Sequence, residues 1–202
     1  MNGFAALMYR MNYINRWGLM RNSRNESLAE HSLCTAYVAH ILGCIAGVRY
    51  KADVNIDKIV CHALYHDAAE IMTGDLPTPV KYANSAMIGE YKKVESMAIE
   101  RLVALLPGDI AEVMQSSITG EDLNERERAI IKAADKICAY IKCLEEQSAG
   151  NSEFETAKQS TLALLMDHPL PETKDFIEEY IPAYSMTLDQ LMALSGPLPG
   201  RR

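Results

Sequence analysis

Strand-length runs of alternating β-branched residues do not occur in this chain, so nothing in it predicts a sheet. Internal repeats and low-complexity tracts are missing too, which excludes solenoids and arrays and leaves no obvious cut between domains. There is no Cys-x-x-Cys pair. The five cysteines, Cys34, Cys44, Cys61, Cys138 and Cys143, are odd in number and mostly fall in apolar helical patterns, so they are expected to be reduced core thiols. The longest apolar run, residues 36–48, contains His40 and is shorter than the roughly 20 residues that cross a bilayer. Polar and basic residues interrupt the opening MNGFAALMYRMNYINRW, so no secretory leader is expected, and the expected location is cytoplasmic with no membrane partner. Positive charge is in deficit, 20 Lys and Arg against 27 Asp and Glu, for a net charge of −7. That balance argues against nucleic-acid polymers, which are bound through counterion release from a basic surface. Acidic residues are themselves absent before Glu26, where Arg10, Arg16, Arg21 and Arg24 stand alone. Such a segment suits either a solvated face or a small phosphate-bearing anion.

What is present reads as helix. The 202 residues are 49% hydrophobic, enough for one sizeable core. The chain is therefore read as a single all-α domain over 1–195 with a loose tail at 196–202, Gly196-Pro-Leu-Pro-Gly-Arg-Arg202. Phe4, Leu7, Met8, Met11 and Ile14 recur at helical spacing, predicting a first helix over 4–15. Ser27-Leu28-Ala29-Glu30 is a capping box, predicting a helix from Leu28 to about Gly47. From Ile56 to Ile71 the apolar face holds Ile59, Val60, Ala63, Leu64 and Ala68, with Asp67 interrupting it. The prolines of Gly74-Asp75-Leu76-Pro77-Thr78-Pro79 predict an extended loop after that helix. Further helices are expected over 87–106, with Tyr91, Val94, Ala98, Leu102 and Leu105 inward, and over 126–149, with Ile130, Ile131, Ala134, Ile137, Cys138, Ile141 and Leu144 inward. Capping boxes predict two more, near 153–167 and 188–194, with a shorter one before Pro182.

The chemistry concentrates at His66-Asp67-Ala68-Ala69-Glu70. A helix advances about 100° per residue, so His66 and Asp67 point in related directions and can grip one ion from a single turn. Glu70 lies one turn on, placed to act on a water held by that ion. His31 from one helix and Asp135 from another can complete a set of two imidazoles and two carboxylates, suited to a borderline divalent ion. A lone histidine on an apolar face is more often a satisfied core residue than a ligand, and spacing alone leaves His31 and Asp135 open between the two. His62 and His66 stand four apart, the spacing of a helical zinc pair, but the intervening residues lack the glutamate of HExxH, so His62 is read as structural. His40 is read as core or interface and His168 as solvent-facing. Trp17, the only tryptophan, is on composition alone a core residue.

The isolated His31, the His66-Asp67 pair and the distant Asp135 match the H…HD…D pattern of the HD-domain metal-dependent phosphohydrolases. Longer stretches are more specific: Ile14-Asn15-Arg16-Trp17, Ala29-Glu30-His31-Ser32-Leu33, Tyr65-His66-Asp67-Ala68, residues 73–81 and residues 138–146. Together they resemble the YfbR-like bacterial 5′-deoxynucleotidases over nearly the whole chain. The resemblance implies a helical HD-domain bundle. It also implies metal-dependent hydrolysis of deoxyribonucleoside 5′-monophosphates, with ribonucleotides rejected. It makes His31, His66, Asp67 and Asp135 the metal ligands and Glu70 the catalytic glutamate. Arg16 is assigned to the phosphate, Trp17 to the sugar, and the loop Asp75, Leu76, Pro77 and Thr78 to deoxyribose and phosphate, with Lys81 as a further contact. One divalent ion per subunit is expected, cobalt or manganese ahead of zinc, iron, nickel or copper, in a homodimer acting on a small deoxynucleotide. Two other classes stay open: an HD phosphohydrolase acting on a triphosphate or alarmone, and a non-catalytic HD nucleotide-binding module. Glu70-Ile71 departs from the Glu-Asp usual in alarmone hydrolases, and no Gly-Tyr-Pro marks a cyclic-dinucleotide enzyme.

Overall fold

Ser27 starts the helix around which the fold is built. Its hydroxyl accepts from the Glu30 N–H at 3.2 Å while the Glu30 carboxylate accepts from the Ser27 N–H at 2.8 Å, a complete capping box. The computed structural model describes residues 2–81, 84–194 and 196, and among them it contains helices and one isolated antiparallel bridge, Asn15 with Ser27. The helices are α1 (Phe4–Met8), α2 (Leu28–Arg49), α3 (Ile56–Tyr65), α4 (Glu70–Thr73), α5 (Thr78–Lys81), α6 (Ser85–Val103), α7 (Gly108–Thr119), α8 (Glu125–Ser148), α9 (Glu155–Met166), α10 (Pro171–Glu179) and α11 (Leu188–Leu194). The all-α expectation holds.

Helix α2 is buried against α3 and α8 because small residues, Ala36, Ala39, Gly43 and Ala46, let its neighbours close in. At Gly43 an added Cβ would lie 3.5 Å from Ile56 and 3.6 Å from Ile59. Leu42, Ile59, Ile130 and Ile137 fill the contact with no exposed surface, each contributing about 1.5–3 kcal/mol. Among the described residues α2 is also the one helix long and apolar enough to cross a membrane by length and composition, and its burial at the bundle centre accounts for that apolarity. A smaller cluster of Phe4, Ala68, Leu102 and Ile118 packs behind the end of α3.

Several expectations are corrected. The helix expected over 56–71 stops at Tyr65, because Ala68, Glu70, Ile71 and Met72 each donate to the carbonyl three residues back, tighter than an α-helix allows. The first helix gives way to a 3-10 turn over Tyr9–Tyr13, and the expected 74–79 loop ends at α5, where Pro79 fits because a first-turn N–H needs no intrahelical acceptor. Helix α7 was not anticipated. Leu64, Val94 and Leu105 face outward, and His40 is exposed rather than core. His168 is half-buried, its Nδ1 accepting from the Leu170 N–H at 3.3 Å at the start of α10. All five cysteines are free, yet only Cys138 and Cys143 are buried. The expected tail lies outside the described residues apart from Gly196.

Candidate metal centre and anion-facing wall

The tight turn after α3 aims the site. His66 directs its Nδ1 at the Ala63 carbonyl, 2.7 Å away on its own helix, which turns Nε2 inward. His31, in the first turn of α2 and wholly buried, presents its Nε2 from the other side, and the two rings lie 5.3 Å apart. Asp67 Oδ2 stands between them, 3.1 Å from His66 Nε2 and 3.5 Å from His31 Nε2. One ligand atom from each of His31, His66 and Asp67 falls within 4.8 Å of the others, a spacing one ion can bridge. Asp135, on α8, brings its Oδ1 to 3.2 Å from His31 Nε2. Spacing leaves His31 and Asp135 open; the fold brings His31 to the His66-Asp67 pair and sets Asp135 against His31, outside that three-residue group.

The two carboxyls of the cluster are held ionised despite their burial. Burial opposes ionisation of Asp67, but the His66 and His31 imidazoles more than offset it and hold the carboxyl well below the usual range. Asp135 is held low against burial by His31 and by Lys136. Burial also works against a charged His66, and the Asp67 carboxylate reverses it, raising the imidazole to about 9. His31, more enclosed, is pulled down by burial. His66 Nε2, His31 Nδ1 and Glu70 Oε2 are buried without a hydrogen-bond partner. Buried polar atoms of this kind require an explanation, and a divalent ion suited to nitrogen and oxygen donors supplies one at His66. Burial, followed by the Asp67 and Asp75 charges, pushes Glu70 up to about 8, so this carboxyl exchanges a proton near neutral pH.

A wall of residues from 15–28 faces the centre. Arg16 N–H donates to the Glu26 carbonyl and Leu28 N–H to the Ile14 carbonyl, both at 2.9 Å, closing the loop at its base. The Arg16 guanidinium then reaches in, with Nη1 donating to Asp67 Oδ2 at 3.3 Å and Nη2 lying 4.0 Å from Asp135 Oδ1. Trp17 is half-buried and takes a left-handed backbone, φ 59°, uncommon for a bulky residue. Its N–H donates to Asp75 Oδ2 at 3.1 Å, its indole Nε1–H donates to Glu26 Oε2 at 3.1 Å, and its ring meets Phe154 edge-on at 5.3 Å. Asp75 therefore joins the wall to the loop leaving α4. Leu76 and Pro77 are half-buried in that loop, and the Pro77 carbonyl accepts from Val80 and Lys81. Thr78 opens α5; its side chain lies outside the described residues. Lys81 turns toward α6, donating to Glu95 at 2.9 Å and lying 4.6 Å from the Tyr91 ring centre. Glu26 was missed in the sequence, where its one signal is being the first carboxylate after the basic segment.

A sequence profile described as 5′-deoxynucleotidase YfbR-like matches residues 3–184. The chain belongs to this family. Among YfbR-like relatives it is 45% identical to a 5′-deoxynucleotidase of Erwinia tasmaniensis over 93% of this chain and 95% of that one. It is 42% identical to a 5′-deoxynucleotidase of Yersinia pestis over 95% and 97%. Its fold is similar to an HD-domain phosphohydrolase of Listeria innocua, with TM-score 0.76 and 23% identity over 90% of this chain and 87% of that one. A cyanophage S-2L HD phosphohydrolase solved with dA and one catalytic zinc ion aligns with TM-score 0.60 and 21% identity over 90% and 96%. The YfbR-like chain thus has the HD-phosphohydrolase bundle.

Proposed function

We infer that this YfbR-like protein is a metal-dependent 5′-deoxynucleotidase that hydrolyses deoxyribonucleoside 5′-monophosphates to deoxyribonucleoside and phosphate and rejects ribonucleotides. The observation that carries the reading is the meeting of Arg16 with the Asp67 oxygen that faces both His31 and His66, which sets an anion-binding fork beside a cation site. The names of the Erwinia and Yersinia relatives support the substrate class, and the cyanophage protein, solved with dA and a catalytic zinc ion, supports a deoxyadenosine-type ligand and a metal in this fold.

His31, His66, Asp67 and Asp135 would hold the ion. When bound, a divalent cation supplies Lewis acidity toward water and toward phosphoryl oxygen. Phosphate-monoester hydrolysis requires accelerations of up to about 10²¹-fold, so charge and positioning must act together. Glu70, in its ionised form, accepts the proton of the attacking water. Arg16 pairs its planar fork with the dianionic phosphate. Trp17 sets an apolar indole against the sugar, where an added 2′-hydroxyl loses its hydration without gaining a partner. Asp75 fixes the Trp17 backbone, and Leu76, Pro77 and Thr78 continue that loop beside the sugar and phosphate, with Lys81 a further contact on α5. Mixed nitrogen and oxygen ligands leave availability to choose the ion, and family resemblance favours cobalt or manganese. The same resemblance supports a homodimer.

The test is a metal-reconstituted screen of deoxynucleoside monophosphates, ribonucleoside monophosphates and deoxynucleoside triphosphates, beside Asp67→Ala. The expected result is phosphate release from the deoxy monophosphates alone, lost in the variant. Pyrophosphate release would move the substrate to triphosphates, and equal release by wild type and variant would sink the hydrolase reading.

A further inference from the structure

One buried carboxylate within the wall meets two of its other side chains, faces the histidine-aspartate cluster, and has no part in the scheme above. Glu26 is 9% exposed. Its Oε2 accepts from Trp17 Nε1–H at 3.1 Å and lies 3.3 Å from Arg16 Nε, while its Oε1 faces His31 Nδ1 at 3.9 Å. Two of these neighbours, Arg16 Nε and His31 Nδ1, are buried nitrogens with no hydrogen-bond partner, so both remaining valences point at the same carboxylate. His31 Nε2 faces Asp67 and Asp135, which leaves Nδ1 as the outward nitrogen. A carboxylate behind a ligating imidazole fixes its tautomer and raises its basicity. Shortening the gap to His31 by less than 1 Å would form that bond.

We propose that Glu26 is a positioning residue that sets the phosphate-facing arginine, the sugar-facing indole and the metal-facing imidazole as one unit. The backbone supports this: the Glu26 carbonyl accepts the Arg16 N–H, so main chain and side chain of one residue tether both ends of Arg16. Because Trp17 Nε1–H is held, the indole cannot pivot away from the sugar. Because the same oxygen serves Arg16, displacing either group disturbs the other. The inference rests on the nucleotidase reading for the roles of Arg16 and Trp17, but its physical content, three groups sharing one carboxylate, does not.

Glu26→Gln and Glu26→Ala separate the two. Trp17 is the only tryptophan, so the emission spectrum of the whole protein reports its indole. Cobalt(II) binding, followed by visible absorption, reports His31. In folded Glu26→Gln we expect a shifted emission maximum, cobalt affinity down about 10- to 100-fold as for other residues that support a ligand, and a lower ratio of dAMP to AMP hydrolysis through a raised KM for dAMP. Glu26→Ala should exceed Glu26→Gln on each readout. If Glu26→Gln melts cooperatively yet keeps wild-type emission, cobalt affinity and dAMP preference, the proposal is overturned and Glu26 serves the fold alone. If wild type itself fails to hydrolyse dAMP, the functional reading falls, and emission with cobalt affinity still decides whether Glu26 organises the cluster.

Discussion

Glu146→Ala should destabilise the protein far more than removal of a surface carboxylate. Glu146 is 0% exposed and its partner Lys142, one turn earlier on α8, is 2% exposed. The Lys142 ammonium donates to the Glu146 carboxylate and to the Arg24 carbonyl, the latter at 2.6 Å. The Glu146 carboxylate also accepts from the Ser23 N–H at 2.8 Å and from Asn151 Nδ2 at 2.7 Å. Alanine would leave the lysine charge buried with a single carbonyl for company, a loss of about 3–5 kcal/mol for a broken buried pair. For a chain of this length about 2–4 °C is lost per kcal/mol, so the melting temperature should fall by about 6–20 °C. Urea unfolding of wild type, Glu146→Ala, Lys142→Met and the double variant gives the coupling directly. A single-variant loss under about 1 kcal/mol would show that water satisfies the lysine and that the pair is not closed. The pH dependence has a defined sign. Although burial opposes it, Lys142, the Ser23 N–H and Asn151 hold the Glu146 carboxyl down at about 2. A depressed carboxylate stabilises the fold above its unfolded value and loses that contribution as pH falls toward 2, so the stability gap between wild type and Glu146→Gln should close between about pH 5 and 2.

Trp17→Ala should narrow the deoxy-to-ribo ratio of kcat/KM, measured with dAMP and AMP; an unchanged ratio removes Trp17 from sugar selection. Gly120→Ala should cost about 2–4 kcal/mol, read by thermal melting. Gly120 has φ 66°, and an added Cβ would lie 2.7 Å from His62 Cε1, whose ring is fixed by a 2.9 Å contact from Nδ1 to the Ser117 carbonyl. Chelation should abolish phosphate release and lower the melting temperature, and cobalt or manganese should restore both, at about 2.7 kcal/mol for an ion at 100 times its Kd.

The helices were legible wherever local chemistry decided them. Ser27 with Glu30 set the start of α2, the apolar stripe of α8 followed its period, and α11 was expected over 188–194 and occurs as Leu188–Leu194. The end of α3 was not legible, because Ala68 continues the apolar period beyond Tyr65 while the backbone tightens around a histidine ring bonded to Ala63. Periodicity records which face is apolar and is blind to a side chain that competes for a helix carbonyl. Spacing alone offered His31, His66, Asp67 and Asp135 only as a possible set and the family resemblance supplied it; periodicity could not, since His31, His66 and Asp135 come together only through packing of α2, α3 and α8. Glu26 was invisible for a related reason: its partners Arg16 and Trp17 are joined to it by a loop closure that no short-range pattern encodes. His62, read as structural, does fill the left-handed turn at Gly120.

Arg16 lies among three carboxylates, Asp67, Glu26 and, at 4.0 Å, Asp135. The acidic pocket therefore carries its own counter-ion. A chain so furnished can complete its folding before any metal arrives, unlike a zinc finger, whose ligands assemble only around the ion. An ion held by Asp67 would compete with that guanidinium for the same carboxylate oxygen.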